Sequence, residues 1–215
     1  MAGKRIFFFL VTLISGFYAF AEPEWVLKKD KDGIRVYTAA VPGSDFRMVK
    51  AEMTIKANLS QVAALLSDVS RHPQWVYNIK EASILKRMGP MEFVYYSEVS
   101  APWPASNRDF VVNFKMSQPS LGILVIDSHC EPGMLPEMAK KVRVTFSISH
   151  WVITSQGDGA VKIDYSIQFD PAGSVPAWVI NTFISDGPYK TFKNLRERVS
   201  MPEYSRAHFD FLKEK

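Results

Sequence analysis

From residue 161 to 169 the chain alternates: Val161, Ile163, Tyr165, Ile167 and Phe169 share one side, and Lys162, Asp164, Ser166 and Gln168 share the other. A period of two with one apolar and one polar face belongs to an antiparallel sheet that is wet on one side. After Asp170-Pro171-Ala172-Gly173 the period becomes helical. Pro176 suits a first-turn position, and Ala177, Ile180, Ile184, Thr191, Leu195 and Val199 fall on one stripe. A sheet with one apolar face needs a cover, and this last helix supplies one. Gly187-Pro188 interrupts the stripe, which predicts a kink or break there.

The rest of the chain reads mostly as strands. Asp32-Gly33 and Pro42-Gly43-Ser44 are turn signals around strands at 34–37 and 48–57. Asn58 or Ser60 can cap a short helix with Val62, Ala63, Leu65 and Leu66 on one face, ended by His72-Pro73-Gln74-Trp75. Further strands are expected at 84–86, 93–99, 110–116, 121–127 and 142–154. Ser117-Gln118-Pro119-Ser120 reads as a flexible loop between two of them, and 206–215 as a frayed tail. No composition shift marks a second domain within the 215 residues, and 47% hydrophobic content excludes a disordered chain.

The first 21 residues read as a cleaved secretory signal. Lys4 and Arg5 precede an apolar run to Ile14, and Ala19-Phe20-Ala21 matches the small-x-small pattern of a cleavage site. The apolar run is short for a span, which takes roughly 20 residues. The mature chain is expected to start near Glu22 and to reach a bacterial periplasm. With 26 Lys+Arg against 22 Asp+Glu the formal charge is +4, and it falls to +2 without Lys4 and Arg5. No basic tract points to nucleic acid. A single cysteine, Cys130, excludes an intramolecular disulfide and a multi-cysteine metal knuckle.

Three segments carry a family resemblance. Pro102-Trp103-Pro104-Ala105-Ser106-Asn107-Arg108-Asp109-Phe110 resembles the P-[WF]-P-x-S-N-R-D-[FY] signature of START (StAR-related lipid-transfer) domains. The run from Asp170-Pro171 through Pro176-Ala177-Trp178 to Asn181 resembles their D-P-G-G-x-[IV]-P-x-W segment, which leads into the last helix. Trp25 with Gly33-Ile34-Arg35-Val36-Tyr37 is similar to their opening strands, and Asp68 and Trp75 suit their Asp-to-Trp spacing. The resemblance spans the mature chain in order, with the domain at 22–205. It implies an α+β helix-grip fold of the START/Bet v 1-like kind, a curved antiparallel sheet wrapped around a long C-terminal helix. It also implies a tunnel for one lipid, whether phospholipid, sterol-like or another apolar molecule.

Residues two apart on a strand share a face, so Phe110, Val112 and Phe114 are expected in that tunnel together. Val144, Phe146 and Ile148 from the strand expected at 142–154, Tyr165 and Ile167 from the last one, and Ile180 and Ile184 from the helix complete the expected apolar lining. An ordinary packed core shows the same pattern. Trp103, Arg108, Asp109, Arg143, Asp170, Pro171 and Asn181 are read as structural parts of the signature. Sterol-carrying members place a buried glutamate and an arginine in the tunnel. Glu98 aligns with the first, but Phe114 stands at the second. Phosphatidylcholine-carrying members use tryptophan, tyrosine and arginine where Ser97, Phe110 and His72 fall here. The Ser117–Ser120 loop and the Gly187-Pro188 kink are candidate lids.

Catalytic motifs are absent from the sequence: there is no G-x-S-x-G elbow, no H-E-x-x-H pair and no glycine-rich phosphate loop. Helix-grip relatives include cyclases and aromatases, and the mark of that alternative would be Tyr95, Glu98 and His150 converging in the cavity. A cavity-free interaction module is a third reading. No metal or cofactor is expected. The expected partners are a lipid ligand and a transiently touched membrane, with the protein a monomer.

Overall fold

The computed structural model describes residues 23–175 and 177–214, the side chains at 45, 177–179, 181–183 and 185 excepted. The expected signal segment, Pro176 and the side chains of Ala177 and Asn181 lie outside the described residues. In order the chain forms β1 (Val26–Lys31), β2 (Ile34–Val41), β3 (Ser44–Lys56) and α1 (Leu59–Ser67). A 3-10 turn at Val69–Gln74 leads to β4 (Ile79–Arg87), β5 (Glu92–Val99), β6 (Asn107–Ser120) and β7 (Ile123–Cys130). Next come β8 (Lys141–Arg143), β9 (Ser147–Gly157), β10 (Ala160–Phe169), α2 (Ala177–Arg198) and α3 (Pro202–Ser205).

The strands make one sheet in the order β1-β2-β3-β10-β9-β7-β6-β5-β4, with short β8 added in parallel to the start of β6. Asp32 and Gly33, both at positive φ, make the tight β1–β2 turn that the Asp-Gly pair predicts. Asn58 caps α1 through a reciprocal capping box with Gln61, and Val62, Ala63, Leu65 and Leu66 are buried as their spacing requires. The apolar side of β10 packs inward as predicted: Val161 and Ile163 are fully buried. They join Phe192, Leu195 and Val199 of α2, Leu59 and Leu65 of α1, and Leu124, Ile126 and Ile153 of the sheet in one core.

Several expectations need correction. The predicted strand at 142–154 is two strands, because Val144, Thr145 and Phe146 leave the ladder between β8 and β9. Ser117–Ser120 is no loop but the end of β6, and Gln118 exchanges two hydrogen bonds with the Lys213 backbone at 2.8 and 2.9 Å. The chain end is not a frayed tail. Leu212 is 4% exposed within the core, and the Glu214 carboxylate accepts a hydrogen bond from the Leu59 amide at 2.8 Å, supplying a partner at the start of α1. Helix α2 runs through Gly187-Pro188 without a break.

The outer side of β5 and β6 is also covered. Leu135, from the segment joining β7 to β8, packs on Val94, Tyr96 and Val111. The sheet is therefore buried on both sides at this place, and polar residues pointing outward there need partners.

Candidate functional site

The signature 107–110 splits by parity along β6. Asn107 and Asp109 point to the covered outer side, while Arg108 and Phe110 point to the inner one. Asn107 donates to Glu98 at 2.6 Å, and Asp109 accepts from Arg143 at 2.8 Å. Arg143 also donates to the carbonyls of Pro132, Leu135 and Pro136, pinning the covering segment down. Asp109 and Arg143 thus form a buried ion pair on the outer side of the sheet. The Asp170 carboxylate accepts from the Ala172 amide at 2.7 Å and closes the turn before α2. Trp103, read with them as part of the signature, is 89% exposed.

On the inner side, a cavity of about 580 Å³ lies between the sheet and α2. Of the residues expected to line it, Tyr95, Phe110, Val112, Phe114, Tyr165, Ile167, Ile180 and Ile184 do so. Aromatic rings close its floor, with Trp151 4.2 Å from Tyr165, and Phe93 stacked on Phe114 at 4.6 Å between centroids. Below that floor the sheet and α2 meet in solid core. The other end carries Phe46, exposed Arg47, Phe169, Ala101, Pro171 and Val175, so the cavity opens between the start of β3 and the segment leading into α2.

Five expected residues are elsewhere. Glu98 is buried on the outer side of β5, where Lys80, Lys141 and Asn107 all donate to it. Burial pushes its pKa up, but those hydrogen bonds outweigh burial and hold the carboxyl at about 2. Val144 is fully buried but borders no part of the cavity, Phe146 and Ile148 are 42% and 52% exposed, and His150 faces outward beside Asp127 at 2.6 Å. The break at 144–146 explains the last three. It resets the parity of β9 so that Ser147, Ser149 and Trp151 face the cavity and Ile148 and His150 face solvent. Tyr95, Glu98 and His150 therefore do not converge.

His72 and Ser97, reached in the sequence only through the family resemblance, also line the cavity, and Trp75, Ser128, Thr191 and Phe192 were missed as lining residues. His72 is 8% exposed, with the edges of Trp75 and Tyr95 against it at 5.6 and 5.8 Å. Burial lowers its pKa to about 4, so the ring is neutral near neutral pH. Its Nε2 lies 3.1 Å from the Leu66 carbonyl, which fixes Nε2 as the protonated nitrogen and leaves Nδ1 as an acceptor. The Trp75 indole N–H is buried and has no partner among the described residues. Tyr95 and Tyr165 hydroxyls are held protonated, their pKa values raised by burial. Cys130 is inert for the same reason, its thiol pushed up to about 11. The lining is thus an apolar vault set with a few neutral polar groups and with Arg108, suited to enclosing a hydrophobic body rather than to moving protons.

Comparison with known proteins agrees with this architecture. The START domain family model matches residues 18–203. An uncharacterized protein of Pseudomonas aeruginosa is 32% identical over 173 residues, covering 80% of this chain and 85% of that one. The bovine phosphatidylcholine transfer protein is 27% identical over 178 residues, covering 80% and 82%. Among solved structures, a STAR-related lipid transfer protein fragment from Xanthomonas axonopodis superposes with TM-score 0.76 at 32% identity, covering 82% of this chain and 99% of that one. Human STARD10 shares the fold with TM-score 0.73 at 24% identity, covering 84% and 75%. With its sheet closed over a C-terminal helix around a lined cavity, this chain belongs to the START domain family.

Proposed function

We propose that this protein binds one lipid molecule non-covalently in the cavity and carries it between membranes, without chemical change to the lipid. The observation that carries the proposal is the 580 Å³ cavity, lined mostly by apolar side chains, in a fold shared with proteins named for lipid transfer. Each methylene removed from water contributes about 0.8 kcal/mol, so a long acyl chain repays complete enclosure. The lining supports carriage over catalysis. His72 is neutral and committed to the Leu66 carbonyl, the two tyrosines stay protonated, and His150 and Glu98 lie on the other side of the sheet.

Membrane contact is proposed at the open end. Trp103, 89% exposed, sits in the loop between β5 and β6, a few residues from Ala101 and Arg108 of the cavity. A Trp side chain is at home in the headgroup zone of a bilayer. We further propose that the protein acts as a monomer in the periplasm after loss of residues 1–21, which N-terminal sequencing of exported protein checks by finding Glu22 first.

The direct test is stoichiometric extraction of a labelled lipid from donor vesicles by the purified protein and its delivery to acceptor vesicles. Failure with every lipid class offered sinks the carrier reading. Uptake that ignores a Trp103→Ala substitution removes that residue from the contact.

A further inference from the structure

Arg108 is a buried cation without an acidic partner. It is 7% exposed and lines the cavity, and among the described residues no carboxylate lies within ion-pair distance. Its contacts are three backbone carbonyls: Nε donates to Pro171 at 3.2 Å, Nη1 to Ser106, and Nη2 to Ala172 at 3.3 Å. A guanidinium has five N–H donors, so two remain unspent, one on each terminal nitrogen. That is the fork that meets a carboxylate or a phosphate in two parallel hydrogen bonds. The other conspicuous cation of the region, Arg143, has both terminal nitrogens committed to Asp109 and three carbonyls on the far side of the sheet.

Burial without compensation is costly for a charge, and carbonyl dipoles offset only part of it. Burial also lowers the Arg108 pKa with nothing acting against it, whereas Asp109 raises that of Arg143. Arg108 pairs with Val99 across β5 and holds the turn at Pro171 and Ala172, so it stands at the open end, where Arg47 is a second, exposed cation. Phe114 on the cavity floor is six residues further along β6, about 20 Å at 3.3 Å per residue. Positive charge at the mouth and aromatic rings at the floor describe an amphiphile held head outward.

Size narrows the class. At about 30 Å³ for a water-sized volume, 580 Å³ holds about twenty non-hydrogen atoms. That matches an 18-carbon fatty acid; a lysophosphatidate of the same chain has about nine atoms more, its larger head then standing in the open mouth, and a diacyl phospholipid has more than twice as many as the cavity holds. We infer that the cavity takes a single-chain lipid with an anionic oxygen head, a carboxylate or a phosphate, whose head is held by the two free N–H groups of Arg108. This inference rests on the lipid-carrier reading and names the ligand class of that same site.

The test compares lipids of one chain length: oleate, oleoyl lysophosphatidate and neutral oleyl alcohol, with dioleoyl phosphatidate as the two-chain control. Affinities are measured by displacement of a fluorescent probe from the purified protein at about pH 8, where the carboxylate is ionised. The expected result is oleate or lysophosphatidate bound at least tenfold tighter than the alcohol, the scale of a charge-assisted hydrogen bond. The better of those two identifies the head as carboxylate or phosphate. In Arg108→Gln the preference for the anionic lipids over the alcohol should fall to about onefold, and Arg108→Lys, which keeps the charge but loses the planar fork, should keep only part of it. Equal binding of oleate and alcohol by the unmodified protein overturns the inference even if Arg108→Gln fails to fold. Tighter binding of the two-chain phosphatidate overturns its single-chain part. Binding of none of the four contradicts the carrier reading itself.

Discussion

Arg143 donates to Asp109 at 2.8 Å across the β6–β8 junction, with 2% and 0% of the two side chains exposed. The pair lies on the outer side of the sheet, directly behind the strand that presents Arg108 and Phe110 to the cavity. Asp109 Oδ1 and Arg143 Nε have no further partners among the described residues, so the pair is held by one strong contact and by the carbonyls around the guanidinium. Removing one partner of such a pair leaves the other charge buried. Asp109→Ala should therefore destabilise the fold by about 3–5 kcal/mol in urea unfolding. It should also make the segment between β7 and β8 sensitive to protease. A loss under 1 kcal/mol, within the range of exposed pairs, would show that the pair does not organise this strand.

His72 makes stability depend on pH. In the unfolded chain its ring takes up a proton near pH 6.5, but in the folded protein only near pH 4. Between those values the unfolded state binds more protons, so stability is fully present above pH 6.5 and falls as pH drops through the window. The loss from this group approaches roughly 3 kcal/mol by pH 4. His72→Gln keeps a donor for the Leu66 carbonyl and removes the titration, so its stability should be flatter across the same window. An unchanged slope in the variant contradicts the assignment.

Parity decided which parts of the site could be read from sequence. On β6 and β10 the alternation is unbroken, and Phe110, Val112, Phe114, Tyr165 and Ile167 line the cavity as that alternation requires. Val144, Phe146 and Ile148 were misplaced because an apolar residue at every second position hides a break in the ladder. The alternating partner set, Trp151 and Ile153, carried the true parity but was interrupted by the serines at 147 and 149. Glu98 was one residue out of phase with its inward neighbours Tyr95 and Ser97, which the flanking Phe93 and Val99 could have revealed. His72 and Trp75 lie in a 3-10 turn with no period to follow, and only the tertiary fold brings them to Tyr95. The docking of the chain end depends on contacts with Gln118 and Leu59, 95 and 155 positions away, which no local pattern encodes.

Ser149 faces the cavity from β9, directly opposite Ser128 on β7 and Ile167 on β10. A large apolar side chain there would fill space meant for ligand without displacing packed neighbours. Ser149→Trp should reduce lipid uptake at least tenfold and change unfolding free energy by less than about 1.5 kcal/mol, since overpacking penalties arise in filled cores. Undiminished uptake would place the ligand elsewhere.

The chain end contributes to the core. Deleting 206–215 removes Leu212 from a site where it is 4% exposed and takes away the Glu214 partner of the Leu59 amide. Burial of one leucine is worth about 1.5–3 kcal/mol, so the truncated protein should be destabilised by at least that amount in urea unfolding. A truncated form as stable as the full chain would show the tail to be passive.

The central claim is that one lipid occupies the cavity. Native mass spectrometry of the purified protein, after incubation with vesicles of mixed total lipid and re-isolation, tests it most directly. The account predicts a single adduct at one lipid per chain, lost in Ser149→Trp, whose released mass is that of a single-chain acid or phosphate. A protein that keeps its unliganded mass after exposure to every lipid offered would contradict the account.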